Sequence, residues 1–244
     1  MAQSMPMAFW LEADNPHACE IAARAGFDIV ILDMEHGMLD LVHADRLIPF
    51  CIGLGMTVYS RVAEPERAPI QHALDSGADG VILPQIRNAE HAAEVTAFAK
   101  YPPLGTRGLG WNRTMGYGGT PRTWPRQRNK TTVCYAQIET LGGLAEAEAI
   151  ARLKTVDGLF LGPSDMSMAR GRGPNRWTQA DLDDLKTVAA AARDAGKLFA
   201  TTGAENSVSR RAGRAVKADF MTAGDDLSAM VAGFDHLIQA ARGR

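Results

Sequence analysis

Four short segments hold the side chains on which chemistry could be built: Asp33-Met34-Glu35-His36-Gly37, Arg61, Gln137-Ile138-Glu139 and Gly162-Pro163-Ser164-Asp165. Each follows an apolar run of strand length, so their polar groups would stand at one rim if those strands were parallel. Glu139 and Asp165 are two carboxylates with open positions, a donor set suited to a hard divalent cation that keeps waters and takes oxygen atoms from a substrate. Zinc held by Cys or His is not supported. A cation there could polarise a 2-oxo acid and stabilise an enolate, with Arg61 adding fixed positive charge beside the same oxygen. Asp33 lies three residues before His36, close enough to orient its imidazole as a general base near neutral pH. The competing reading is a rim of structural salt bridges, against which stands the recurrence of acids, a base and a cation at one place. His17, His43, His72, His91 and His236 fall in helical patterns and read as solvated or structural. A Schiff-base mechanism needs a lysine on a strand, whereas Lys100, Lys130, Lys154, Lys186, Lys197 and Lys217 fall at helix ends, in loops or at a strand entrance.

The elements that must position these groups alternate along the chain. Apolar runs predict strands at Met7 to Leu11, Asp28 to Asp33, Thr57 to Arg61, Gly80 to Leu83, Thr132 to Ile138, Gly158 to Leu161, Leu198 to Thr201 and Phe220 to Thr222. Helix starts are marked by Asn15-Pro16, by Asn88, and by Thr178 with Asp181. Glycines at Gly26, Gly77 and Gly196 mark helix ends just ahead of the next strand. Eight strand-then-helix units in 244 residues fit an α/β fold of one domain, a (β/α)8 TIM barrel over residues 1–244. An open doubly wound sheet would call for a glycine-rich phosphate loop, and Gly108-Leu109-Gly110 followed by Trp111-Asn112-Arg113 breaks that pattern. The long irregular stretch from Tyr101 to Lys130, with five arginines, reads as a solvated or subunit-contact loop.

Composition narrows the partners. With 26 Lys and Arg against 28 Asp and Glu, the chain has no basic field for nucleic acid. No apolar run reaches the roughly 18 residues of a membrane span, and the first basic residue, Arg24, comes late for a signal peptide. These features predict a cytoplasmic protein. Cys19, Cys51 and Cys134 lie in apolar segments and read as buried free thiols. The glycosylation patterns at Asn112 and Asn129 carry no consequence without a secretory signal.

Taken in order, Asp33-Met34-Glu35-His36-Gly37, Leu83 to Glu90, Tyr101 to Gly108, Gln137-Ile138-Glu139-Thr140 and Gly158 to Ser167 resemble the HpcH/HpaI aldolases, class II pyruvate-type aldolases of 2-oxo acids. The likeness spans almost the whole chain. It implies a hexameric (β/α)8 barrel that binds Mg2+, Mn2+ or Co2+ through Glu139 and Asp165. Pyruvate would bind there with its carboxylate on backbone amides around Gly162, Ser164 and Asp165. Arg61 would stabilise the enolate, His36 with Asp33 would move protons, and Gln137 and Trp10 would line the pocket. Asp75 would reach a neighbouring subunit's site. The implied reaction is reversible cleavage of a 4-hydroxy-2-oxo acid to pyruvate, or hydroxypyruvate, and an aldehyde through a metal-stabilised enolate. The rivals are a relative acting on oxaloacetate or a citrate-like acid, by decarboxylation or condensation, and a barrel that has kept the fold without catalysis. This chain departs from better-known members in its short start, in the acidic loop from Glu12 to Pro16, and in Met34, and such loop differences bear on which aldehyde fits.

Overall fold

Runs of β-branched and other apolar residues with no polar alternation can be satisfied only as strands covered on both faces, and the chain closes them on themselves. The computed structural model describes residues 5–118 and 121–243. Its strands are β1 (Met7–Leu11), β2 (Ile29–Asp33), β3 (Thr57–Arg61), β4 (Gly80–Leu83), β5 (Val133–Ile138), β6 (Gly158–Leu161), β7 (Leu198–Thr201) and β8 (Phe220–Asp225). They form a closed, all-parallel barrel in sequence order. Around them run α1 (Pro16–Ala25), α2 (Leu41–Gly53), α3 (Arg67–Asp75), α4 (Ala89–Ala97), α5 (Trp124–Thr131), α6 (Leu141–Ala145), α7 (Ala147–Ala151), α8 (Pro163–Ala169), α9 (Gln179–Asp194), α10 (Ser207–Ala215) and α11 (Asp226–Ala241). This is the expected (β/α)8 fold in one domain.

Predicted helix signals act as anticipated. The Asn15 side chain accepts from Ala18 N, and Thr178 and Asp181 close a capping box. Gly26 ends α1 in the left-handed region at φ 99°, where other residues are strained. The barrel interior is filled by Ala8, Ile31, Tyr59, Ile82, Tyr135, Phe160 and Phe220, with Tyr59 stacked on Phe220 at 5.6 Å. Gly158 makes room for this layer, since a Cβ there would lie 2.3 Å from the Tyr135 ring. A separate apolar shell joins the outer strand faces to the helices.

Strand boundaries differ from expectation at two entrances and one exit. Asp28 precedes β2 because its carboxylate accepts Met7 N–H at 2.9 Å. The same contact recurs at every second strand: Asp79 accepts from Val58 N, Asp157 from Cys134 N and Asp219 from Phe199 N, each at 2.8–2.9 Å. Thr132 caps α5 instead of opening β5, and β8 runs on to Asp225, which caps α11. The stretch from Tyr101 to Lys130 is mostly exposed or half-buried, as predicted, but it is not all loop and not all its arginines are solvated. It leads into α5, and Arg107 is buried against Asp75, 2.5 Å away, with its guanidinium over the Tyr101 ring. Residues 119–120 of that stretch lie outside the described residues. Beyond Asp226, α11 buries nothing: Met230, Phe234, Leu237 and Ile238 form an exposed apolar stripe. The three cysteines are buried and free, and no helix among the described residues is long and apolar enough to cross a membrane.

Candidate active site

Parallel closure sends every strand's carboxyl end to one rim, where loops can vary without disturbing the barrel. There a cavity of about 240 Å3 is lined by Trp10 of β1 and Glu12 after it, Asp33 at the end of β2 and His36 after it, Arg61 of β3, Gln137 of β5 and Glu139 after it, Gly162, Ser164 and Asp165 after β6, and Thr202 after β7, with Phe160 beneath. Every residue expected at the site lies in this cavity except Asp75. That residue ends α3 at the opposite end of the barrel and is paired with Arg107, so within one chain it is remote from the site. No lysine is among the lining residues. Lys100, the most buried lysine, is instead spent at the strand entrances, 2.6 Å from Asp157 and 2.5 Å from Thr132 O.

Asp33 and Arg61 face each other because β2 and β3 pair them in register. Arg61 Nε–H donates to Asp33 Oδ1 at 2.9 Å and an NH2 group donates to Oδ2, a fork that fixes the guanidinium plane. The plane lies 4.4 Å from the Trp10 ring, whose indole N–H donates to Thr222 Oγ1 at 3.0 Å. The expected dyad is different in form. Asp33 Oδ1 also accepts the backbone N–H groups of Glu35 and His36, at 3.1 and 3.2 Å, so this carboxylate is saturated and orients the peptide of His36, not its ring. The carboxylate nearest the imidazole is Glu35, with Oε2 4.0 Å from His36 Nε2 and 3.2 Å from Arg61 NH1. Burial raises the Glu35 pKa, and the Arg61 cation opposes that rise. The His36 side chain is 60% exposed and free to turn toward a ligand.

Glu139 is buried where β5 ends. Its Oε1 accepts the Gln85 backbone N–H at 2.6 Å and its Oε2 accepts the Gln137 amide. Gln85 reaches that position in the left-handed region, at φ 54°. Burial pushes the Glu139 carboxyl up to about 7, against the two hydrogen bonds and assisted by the negative charges of Glu35 and Asp165. A cation would relieve that cost, and three further observations fit one. Gln137 Oε1 is buried without a partner, Gly162 leaves open the space beside Glu139 Oε2 that a Cβ would enter at 2.5 Å, and Asp165 faces the cavity from the first turn of α8. Among the described residues no three His, Cys, Asp or Glu side chains gather as a metal cage. The two carboxylates therefore suit a hard cation completed by water and substrate oxygens.

At the start of α8 the Gly162 N–H is already bonded to Ile138 O, and Met166 N–H closes the first turn on Gly162 O. The amides of Ser164 and Asp165 between them are the ones left to face an anion. Sequence reasoning missed Thr202, Phe160 and the Gln85 amide as parts of the site, named Glu12 only as part of an acidic loop that bears on the aldehyde, and gave Glu35 no role. Glu12 and Glu35 carried a visible signal, being acids within three residues of a strand end. The Gln85 conformation had none.

Residues 6–229 match the model of the HpcH/HpaI aldolase/citrate lyase family. A 2-dehydro-3,6-dideoxy-6-sulfogluconate aldolase of Pseudomonas putida is 38% identical over 172 residues, 69% of this chain and 66% of that relative, so the matched stretch spans just under two thirds of its length. A hydroxypyruvate/pyruvate aldolase of Pseudomonas aeruginosa is 31% identical over 217 residues, 84% of this chain and 77% of the relative. The crystal structure of an HpcH/HpaI aldolase from Desulfitobacterium hafniense superposes with a TM-score of 0.90 at 25% identity, covering 98% of this chain and 93% of that one.

Proposed function

Because the chain belongs to the HpcH/HpaI aldolase/citrate lyase family, we propose that it is a carbon–carbon lyase that reversibly cleaves a 4-hydroxy-2-oxo acid to pyruvate, or hydroxypyruvate, and an aldehyde. The observation that carries this reading is one small cavity holding Glu139, Asp165, Arg61 and His36 and lacking any lysine for an imine. Glu139 and Asp165 would hold Mg2+, Mn2+ or Co2+, and that cation, when bound, supplies Lewis acidity toward the 2-oxo group.

The protein's own groups do the rest. The Ser164 and Asp165 amides bind the carboxylate of the oxo acid. His36 removes the C4 hydroxyl proton, directly or through water, as the C3–C4 bond breaks and its electron pair passes to the enolate. Asp33 holds Arg61 rigid so that its remaining N–H groups face the enolate oxygen without reorganisation. Trp10 and Phe160 exclude water from that end of the pocket. Protonation of the enolate carbon completes cleavage.

We assign residues 1–244 to one catalytic domain acting on soluble metabolites in the cytoplasm. The exposed stripe of α11, beside an apolar cavity of about 390 Å3 lined by Ile21, Phe27 and Met230, supports a homo-oligomer, in which a neighbouring copy is the only route for Asp75 to a site. Chelator-treated protein is expected to be inactive toward 4-hydroxy-2-oxo acids and to recover with Mn2+, Mg2+ or Co2+. Full turnover without metal, or trapping of substrate by borohydride, would overturn the reading. Turnover of oxaloacetate alone, with no aldol cleavage, would favour the decarboxylating relatives.

A further inference from the structure

Glu12 is an acid in a place where the aldolase chemistry needs none. It follows β1, which stands four strands from β5 and so across the barrel mouth from Glu139. An oxo acid on the β5 and β6 side of the cavity leaves the β1 side for the aldehyde. Glu12 is fixed there by both of its peptide groups. Its N–H donates to Asp226 Oδ1 at 2.8 Å, and its carbonyl accepts Met38 N–H at 2.7 Å. Gly37 packs so closely on it that a Cβ at position 37 would lie 2.9 Å from Glu12 Cα.

The charges around this position are one-sided. Among the described residues Arg61 is the only lysine or arginine lining the cavity, and its guanidinium is engaged by Asp33 and Glu35. Burial, together with Asp225, Asp33 and Asp226, raises the Glu12 pKa above its ordinary 4.5, and the Arg61 cation acts the other way. An anion arriving on this side would meet the same field. The cavity, at about 240 Å3, is also below the roughly 300–1,000 Å3 of pockets for drug-sized ligands, so a short acceptor held within it carries its charge close to Glu12.

We propose that Glu12 sets acceptor specificity: its carboxylate fixes negative charge on the aldehyde side of the pocket, selecting short uncharged aldehydes and rejecting those that bear a carboxylate, sulfonate or phosphate. This rests on the aldolase reading above. The acidic loop from Glu12 to Pro16 thereby acquires a function, as the wall that discriminates among aldehydes.

The test is aldol addition of pyruvate, in the metal-loaded protein of residues 1–244, to paired aldehydes of matched length: butanal against succinic semialdehyde, and glycolaldehyde against glyoxylate. The quantity read is the ratio of kcat/KM for the charged aldehyde to that for the neutral one. Glu12→Gln is expected to raise this ratio about tenfold, the effect of one like-charge contact in a pocket open to water, and Glu12→Lys to raise it further. Exchange of the pyruvate methyl protons with deuterated solvent is measured on the same samples, because it reports the enolate without any aldehyde. Wild-type protein that gives no exchange overturns the aldolase reading and this assignment with it. Exchange that persists while the ratio stays fixed in both variants overturns the assignment of Glu12 alone. Loss of exchange in folded Glu12→Gln would place the residue in the enolate machinery and equally overturn its role in selecting the aldehyde.

Discussion

Replacing Glu139 by Gln should make the metal-free protein more stable while removing its function. Folding carries this carboxyl from an ordinary value of 4.5 to about 7, so between those values the folded chain holds a proton that the unfolded chain has lost. Stability therefore falls as pH rises through that window, because the unfolded state binds fewer protons. At about 1.4 kcal/mol per pH unit, the cost is about 3 kcal/mol at pH 8.5 and about 1 kcal/mol at pH 5.5. An uncharged amide at this position would carry no such cost and would keep both contacts. Its carbonyl can take the Gln85 N–H, and its NH2 can donate to the Gln137 carbonyl once that amide flips, giving Gln137 Oε1 the partner it now lacks. For a chain of this size about 3 kcal/mol corresponds to a rise in Tm of roughly 6–12 °C. The assay is thermal unfolding of wild type and Glu139→Gln in chelator at pH 5.5 and 8.5. Because all other titrating groups are shared, the difference between the two proteins isolates this one. A difference that does not grow with pH, or a variant less stable at pH 8.5, would refute the reasoning.

Three further outcomes follow from the site. His36→Ala should slow aldol cleavage by about 10²-fold or more, the usual contribution of a general base, with pyruvate affinity by calorimetry little changed; wild-type cleavage in that variant would leave the imidazole with only a surface role. Arg61→Lys keeps the charge and loses the fork held by Asp33, so pyruvate methyl exchange should drop by roughly 10²–10³-fold; exchange at the normal rate together with failed cleavage would move Arg61 to the aldehyde side. Gly162→Ala would put a methyl group 2.5 Å from Glu139 Oε2, and the displaced carboxylate should weaken Mn2+ binding at least tenfold in a folded protein; unchanged affinity in a titration would show that Glu139 is not a ligand.

The barrel was legible because its signals are local. An apolar run bounded by a glycine-aspartate entrance and a polar exit identifies strand, direction and rim together, as at Asp28 to Asp33 and at Gly158 to Leu161. The residues that meet in the cavity were legible for the same reason, since Asp33, Arg61, Glu139 and Asp165 each end or follow a strand. Their partnerships were not. That Asp33 spends its oxygens on Arg61 and on two backbone amides, leaving Glu35 as the acid beside the imidazole, depends on strand register and on a turn whose hydrogen bonds leave no compositional trace. Arg107 looked like a loop cation because sequence cannot show that Asp75, 32 residues earlier, waits beneath it. The Gln85 amide depends on a backbone conformation that glutamine rarely adopts.

The four aspartates at the strand entrances divide the barrel into equal quarters. Asp28, Asp79, Asp157 and Asp219 each precede an even-numbered strand and grip the first or second amide of the odd-numbered strand before it. Each quarter is thus a strand pair whose stagger is clamped at the end remote from the pocket. A sheet slips by moving whole ladders, and a slip by one residue would turn every inward side chain outward. With the stagger pinned below, the loops above can lengthen, shorten or change charge without sending that error through the barrel. Such a chassis lets the chemistry of the rim change by single substitutions while the barrel that carries it stays as it is.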